Sequence, residues 1–520
     1  MEGDEKQGNS KNILDSKLLG NKKYDENSLK HNKHSLILSK QFYGIISGIT
    51  VGILGVQGIL GFLLFILFTL IGTCITFFHI RKKFGSYFLK KSDLFFGDFF
   101  SGLIKKLSGK EEDTILTSKH ESILLSAIFW VLSSISLINK KRETIDEVLS
   151  KDFIEVIYML VMKCLHRRKI KDEYIYKLKK ETYISSNEDI KKKKKKKFIV
   201  TGFSPCNKKN VYEANIISTL SAIQILFLLN KTDENSISTK TLLEIYNFVI
   251  FLFDEEKGYF HFSLKSVQYK FDGDMRFMFC SLCTLYLLNK LFKERNIYVN
   301  NINNNKCIHW IINCFNIDGG FSNLPGSESH AGTTFCAIHS LKLLKNEKGK
   351  TYFSYNPIMK KKLIRWLCER YDNFGINGRV GKDHDVCYSW WVLSSLSSLN
   401  VNLGKAFNVN IIINFILKCQ DKVNGGFSRI GQDEYNINKK CMNYFKNENF
   451  FFKQTDQFHS FFSLCALSLI YYNIHYYMKK ERLKKYELFD QISIPKHIND
   501  VLSNMANIHE AFAMPRRLIQ

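Results

Sequence analysis

The segment Asp385-Val386-Cys387-Tyr388-Ser389-Trp390-Trp391 and, far downstream, Asp456-Gln457-Phe458-His459 supply an aspartate, a cysteine and a histidine. Asp385, Cys387 and His459 are of zinc-ligand types, and a set of three describes an open site. Structural zinc closes its tetrahedron with four protein ligands, whereas catalytic zinc keeps one position for water or substrate. A substrate thiol suits that position, because bound Zn²⁺ lowers the pKa of a thiol and presents the thiolate as a nucleophile. Arg379 and Lys382 precede Asp385 at intervals of three, so a helical turn or a tight loop could set a pair of cations beside the metal.

These residues sit in a repeat. From Ser118 onward, a turn rich in glycine and aromatic residues is followed, after a loop, by an apolar helical stretch. The turns are Gly258-Tyr259-Phe260, Gly319-Gly320-Phe321, Phe374-Gly375 and Gly425-Gly426-Phe427. Their spacing, about 50 to 60 residues, is within or just above the range of helical repeats. Apolar stretches begin at Phe279, Phe335, Trp390 and Phe461, and two earlier ones at Ser126 and Ser218 extend the series to six. Few prolines and few alternating runs predict an all-α fold. Six helix pairs can close into an α6-α6 toroid whose inner helices are apolar nearly all round, being packed on both sides. Polar insertions at about 165–197 and 434–455 are expected to loop out from one rim of this 118–520 domain.

The chain has 520 residues, 45% hydrophobic, which excludes global disorder. Its net charge of +26 gathers partly in polar runs such as the lysines of 191–197, which read as solvated insertions, so no nucleic-acid partner is expected. Thirteen cysteines at irregular spacings do not resemble a secreted disulfide framework and favour a reduced, cytosol-facing compartment. Residues 1–35 are polar and read as disordered. Residues 42–78 carry no charge, enough at about 20 residues per crossing for a hairpin of two membrane helices. Gly44, Gly48, Gly52, Gly55, Gly58 and Gly61 fit close packing in lipid, and Arg81-Lys82-Lys83 favours a cytosolic end after the second crossing.

The sequences SGITVGILGVQGILGFLLF and KKFGSYFLKKSDLFFGDFFSGLI, within residues 36–104, resemble the small subunit 6 of the ER membrane protein complex. The third membrane helix of that family is missing, since the chain turns polar at Lys105. Beyond the junction of 105–117, five segments strongly resemble protein prenyltransferase β subunits: DMRFMFC, DGGFSNLPGSESHAGTTFCA, WLCERYDNFGINGRVGKDHDVCYSWWVLSSL, CQDKVNGGFSR and DQFHSFFSLCALSLI. PGSESHAG, WLCER, DVCYSWWVL, TLSAIQIL and the terminal AMPRRLIQ resemble the type II, Rab-modifying geranylgeranyltransferases.

The resemblance implies that Asp385, Cys387 and His459 hold one Zn²⁺, and that His330, Arg379, Lys382 and Tyr388 bind the diphosphate of an isoprenoid substrate. Phe279, Cys336, Trp390 and Trp391 would line the isoprenoid pocket. Ser126 and Leu220 stand where farnesyltransferases carry bulky aromatics, leaving depth for a geranylgeranyl chain. The implied partners are a prenyltransferase α subunit, in a heterodimer, and a Rab GTPase presented by an escort protein. The implied reaction transfers geranylgeranyl from its diphosphate to C-terminal Rab cysteines. Arg429 departs from the family: it falls where the type II pattern has an aspartate, a position that in farnesyltransferase helps to hold Mg²⁺. A guanidinium cannot ligate a cation. Arg429 therefore either substitutes for the metal's charge or points away, and a requirement for Mg²⁺ stays open.

Two other readings stand beside this one. A type I geranylgeranyltransferase β subunit would act directly on a C-terminal CaaL sequence. A noncatalytic ring, or a subunit of the ER membrane complex, would need no metal set beside Arg379 and Lys382. The catalytic domain is expected in the cytoplasm, with ER association through the hairpin. Both resemblances are cut short where they meet, the pattern expected when two neighbouring genes are joined.

Overall fold

A computed structural model describes residues 120–138, 140, 145–170, 199–208, 211–269, 273–299, 302–344, 350–372, 374–422, 425–431, 455–480 and 496–519. The chain divides into two units, Met1–Thr114 and Ile115–Gln520, and every described residue lies in the second. The polar N-terminus, the membrane hairpin, the junction at 105–117 and the interiors of both insertions lie outside the described residues. Among the described residues, no helix is long and apolar enough to cross a membrane.

Helices alternate between two layers. The inner ones are α1 (Leu124–Ile138), α3 (Ile216–Leu228), α5 (Met275–Glu294), α7 (Ala331–Leu343), α9 (Val386–Ser398) and α11 (Gln457–Lys480). The outer ones are α2 (Lys151–Lys163), α4 (Thr239–Phe251), α6 (Asn304–Asn313), α8 (Pro357–Cys368), α10 (Val409–Lys418) and α12 (Lys496–Ser503). Sequence separates the layers. In α3, IISTLSAIQILFL, every residue except Ile217 is buried, whereas α10 buries one stripe of Val409, Ile412, Ile413, Phe415 and Ile416. An apolar helix needs neighbours on all sides and an amphipathic one needs them on one.

Each inner helix packs on the next, and α11 packs back on α1. The seam is aromatic, with Phe129 against Phe461 at 5.6 Å and Trp130 against Phe458 at 5.2 Å. A recurring hydrogen bond ties the ring together at one rim. The first or second backbone N–H of five of the six inner helices donates to the loop that precedes the next: Leu125 to Pro205, Ile216 to Phe262, Met275 to Asn323, Ala331 to Gly378 and Val386 to Arg429. The inner-helix N-termini thus share one rim, and their partial positive charges favour an anion there.

The other end of the ring is filled by residues 504–519. Their carbonyls accept from four inner helices: Ser133 Oγ to Ala513, Gln224 Nε2 to Phe512, Ser394 Oγ to Glu510 and Ser468 Oγ to Ala506. Phe512, 2% exposed, lies 5.2 Å from the ring of Tyr286.

The turns before the inner helices repeat a Gly-Phe-Ser device. The amide of Phe203, Phe321 or Phe427 donates to a hydroxyl inside the following inner helix (Thr219, Thr334, Ser460). The next serine's hydroxyl donates to the carbonyl of a buried cysteine that ends an outer helix (Cys164, Cys314, Cys419). Gly319 lies at φ +97°, in the left-handed region that glycine enters without steric penalty, and its absent Cβ would meet the Lys362 carbonyl at 2.9 Å.

The fold is not all helix. Strands β1 (Leu165–Lys169) and β2 (Ile199–Phe203) form an antiparallel ribbon, and β3 (Phe253–Asp254) pairs with β4 (Tyr259–Phe260). The stretch read from sequence as a looped insertion at 165–197 therefore opens as a strand. Ribbon β1–β2 flanks that stretch and packs on α4.

Candidate metal and anion site

Asp385 caps the N-terminus of α9. Its extended backbone (φ −148°, ψ 133°) turns the carboxylate back so that Oδ1 accepts the Cys387 N–H at 3.0 Å. That capping geometry makes Asp-x-Cys a ligand pair, because it sets the carboxylate and the thiol on the same first turn. His459 comes from the first turn of α11, the inner helix packed against α9. Its Nδ1 lies 2.6 Å from Asp456 Oδ2, and its backbone N–H donates to Asp456 Oδ1 at 2.8 Å. The other nitrogen, Nε2, faces Asp385 Oδ1 at 3.4 Å. One ligand atom from each of Asp385, Cys387 and His459 lies within 4.8 Å of the others.

These residues fit a metal ion. A carboxylate, a thiol and an imidazole converge in a largely buried place, with the imidazole oriented from behind by a carboxylate, the usual outer-shell device of metal-bound histidine. Asp456, which holds the ring of the candidate ligand His459, lies in a motif quoted from the sequence without a role of its own. Its signal was present: an aspartate three residues before a histidine, at a helix start, puts both on one turn.

In the metal-free protein the three side chains balance one another's charge. Burial opposes a charge on His459, but hydrogen bonds to Asp385 and Asp456 outweigh it and hold its pKa at about 9. Burial raises the carboxyl of Asp385, yet bonds to His459 and Cys387 leave it below the ordinary value. Burial and then the Asp385 charge push the Cys387 thiol well above its usual range. Without a metal the cysteine stays protonated, and binding a cation must displace protons from both Cys387 and His459.

Beside this cluster lies a second group. His330 caps α7 and its Nδ1 accepts the Gly332 N–H at 3.0 Å. The ring proton is thereby assigned to Nε2, which lies 3.2 Å from the Tyr388 hydroxyl oxygen and donates to it. Tyr388 is left with its own O–H to offer. Burial, and then the nearby Arg379 charge, lower the His330 pKa and keep it neutral, while burial raises Tyr388 to about 12. Arg379 and Lys382 ride on a tight loop, not a helical turn: Asn377 and His384 pair across its base, and Gly381 takes φ +69°. Arg379 pairs with Glu328, and Lys382 is exposed. Gly378 lets the loop close, since a Cβ there would lie 2.2 Å from the Tyr388 ring.

Arg429 points at the metal cluster, with Nε 2.8 Å from Asp385 Oδ2. The aromatic residues form a continuous wall from His459 into the ring. Phe458 and Phe462 meet at 4.8 Å, Phe462 and Trp391 at 4.4 Å, Trp391 and Phe335 at 4.8 Å, and Phe335 and Phe279 at 5.3 Å. Trp391 is partly exposed, whereas Trp390 is fully buried, the position of an interhelical core side chain. Phe279, Cys336 and Leu220 are buried, and Ser126 meets Ser221 hydroxyl to hydroxyl at 3.0 Å across α1 and α3. Trp130, Phe458 and Phe462, which the sequence did not single out, belong to the same wall.

Comparison with known proteins bears on the family and the fold. Residues 103–512 match the family "Prenyltransferase alpha-alpha toroid domain", and residues 35–105 match the family "EMC6". The geranylgeranyl transferase type-2 subunit beta of Candida albicans is 35% identical over 40% of this chain and 58% of its own. The protein of the same name in Saccharomyces cerevisiae is 29% identical over 50% of this chain and 68% of its own. A geranylgeranyl transferase type-1 subunit beta of Arabidopsis thaliana is 29% identical over 42% and 53%. The matches thus span about half to two thirds of these relatives' lengths. A solved structure, Candida albicans protein geranylgeranyltransferase-I complexed with GGPP, shares the fold at a TM-score of 0.51 and 21% identity, over 80% of this chain and 95% of that one.

Proposed function

This chain belongs to the prenyltransferase alpha-alpha toroid family, and from that premise we propose that it is the catalytic β subunit of a type II geranylgeranyltransferase. In this reading it works in a heterodimer with an α subunit, takes geranylgeranyl diphosphate, and alkylates C-terminal cysteines of a Rab GTPase brought by an escort protein. The observation that carries it is the convergence of Asp385, Cys387 and His459 beside His330, Tyr388 and Arg379. One group supplies a nucleophile and the other receives a leaving diphosphate.

Asp385, Cys387 and His459 would hold Zn²⁺, which when bound lowers the pKa of a substrate thiol and supplies a thiolate. The chain's own residues do the rest. Asp456 fixes the His459 ring, so that Nε2 faces the ligand position. His330 donates to Tyr388, whose own O–H would donate to the anion, and Arg379 and Lys382 would supply positive charge as the bond to carbon breaks. The wall from Phe458 to Phe279 would shelter the isoprenoid, with Cys336 alongside, while Ser126 and Leu220 leave room at its end. Arg429, held on Asp385, offers fixed charge in place of a Mg²⁺ ion, so we expect little Mg²⁺ dependence.

The Rab specificity rests on the type-2 relatives and on the PGSESHAG, WLCER and AMPRRLIQ motifs. Its test is transfer by the purified heterodimer to a Rab with escort protein against transfer to a CaaL peptide. Transfer to the Rab alone is expected. Transfer to the peptide alone overturns the type II assignment in favour of type I, and no transfer to either, with metal absent, favours a noncatalytic ring.

A further inference from the structure

Arg379, whose charge acts on both His330 and Tyr388 in the proposed diphosphate site, is paired with the carboxylate of Glu328. Both side chains are partly exposed, and the turns that carry them are held by hydrogen bonds. Glu328 sits between two pinned residues of the turn before α7: Asn316 Nδ2 donates to the Ser327 carbonyl at 2.8 Å and to Ser329 Oγ at 2.9 Å. Ser329 Oγ donates in turn to Asp318 Oδ1 at 2.8 Å, and Asp318 Oδ2 accepts the Trp366 indole N–H at 3.0 Å. The Arg379 loop is fastened to the same place, because the Ala331 N–H donates to the Gly378 carbonyl at 2.8 Å. Two hydrogen-bonded loops thus set a carboxylate against the guanidinium that, among the described residues, pairs across them.

We propose that Glu328 is a displaceable counter-ion of the anion site, which occupies Arg379 when no diphosphate is bound and is driven off it when one arrives. A diphosphate carries more charge than one carboxylate and meets the Tyr388 hydroxyl as well, so it wins the guanidinium. Glu328 stays nearby on its pinned turn and retakes Arg379 as pyrophosphate leaves. Glu328 therefore lowers affinity for substrate and product diphosphate alike and speeds release of the product. The inference rests on the reading of Arg379 as a diphosphate ligand.

The test is calorimetric titration of the full-length chain with inorganic pyrophosphate, for wild type, Glu328→Gln, Arg379→Gln and the double variant. The expected result is tighter binding in Glu328→Gln by about 1.5- to 5-fold, the range that half-exposed ion pairs cover. Arg379→Gln binds weakly, and in that background Glu328→Gln changes nothing. Unchanged or weaker binding in Glu328→Gln overturns the proposal, because a carboxylate that merely straps the loops together would help binding. Equal tightening in both backgrounds also overturns it, reducing Glu328 to a general field effect. If Arg379→Gln binds pyrophosphate as wild type does, the diphosphate reading of Arg379 itself fails.

Discussion

His459 carries the clearest consequences for single residues. Its folded pKa, about 9, lies above the value of about 6.5 for a free imidazole, so in metal-free protein its stabilisation is complete below pH ~6.5 and is lost as the pH rises through about 9. The melting temperature of metal-free wild type should fall relative to His459→Gln across that window, and a constant difference between the two would refute the assignment. Asp385 acts at the other extreme: its lowered pKa gives stability that is lost only as acid protonates it. Removing the orienting carboxylate in Asp456→Asn should weaken zinc binding by about 10- to 100-fold while all three ligands remain, as measured by competition with a chromophoric chelator. The convergence of Asp385, Cys387 and His459 was foreshadowed by residue types that suit a metal and by the family resemblance of their two segments. Glu328 was not, since its role depends on meeting a guanidinium 51 positions away, and no local pattern encodes that.

The elements explain how loops of glycine and polar residues can be rigid. Gly378→Ala should impair transfer with little loss of bound zinc, because the added Cβ displaces Tyr388 from His330 without touching Asp385, Cys387 or His459. Steady-state kinetics alongside metal analysis separates the two, and loss of zinc in this variant would count against the division of the site into two groups. The WLCER motif is a brace: Trp366 donates to Asp318, and the Arg370 guanidinium lies 4.6 Å from the Trp366 ring. Helical stretches and most turns were readable from their apolar runs and glycines. The ribbon β1–β2 was missed because LHRRK alternates too little to signal a strand. Its partner ends in Gly202-Phe203-Ser204, the same triplet found at Gly320 and Gly426, which marks a further turn of the repeat.

At the scale of the molecule, the repeat predicts a ring but does not say how its ends are closed. One rim gathers the helix N-termini and the chemistry; residues 504–519 fill the other. Phe512→Ala should destabilise the toroid by about 3–5 kcal/mol, the cost of deleting a buried phenyl group, and a melting temperature equal to wild type would contradict the filling role. Sequence flagged this segment only as a terminal motif, because its buried surface is created by helices from 38 to 380 residues away. The two family matches meet at residues 103–105, and we expect them to mark two gene products, so that native protein yields no peptide spanning 106–119. Recovery of such a peptide would join the toroid to the upstream segment. The central claim, that an open metal position in the toroid takes a substrate thiolate, is tested most directly by cobalt(II) substitution of the full-length chain. A thiolate-to-cobalt charge-transfer band should appear in wild type, strengthen when a cysteine-bearing substrate binds, and be absent from Cys387→Ala before substrate is added. A wild-type chain that binds no cobalt, or whose band is unchanged by a bound thiol substrate, would contradict it.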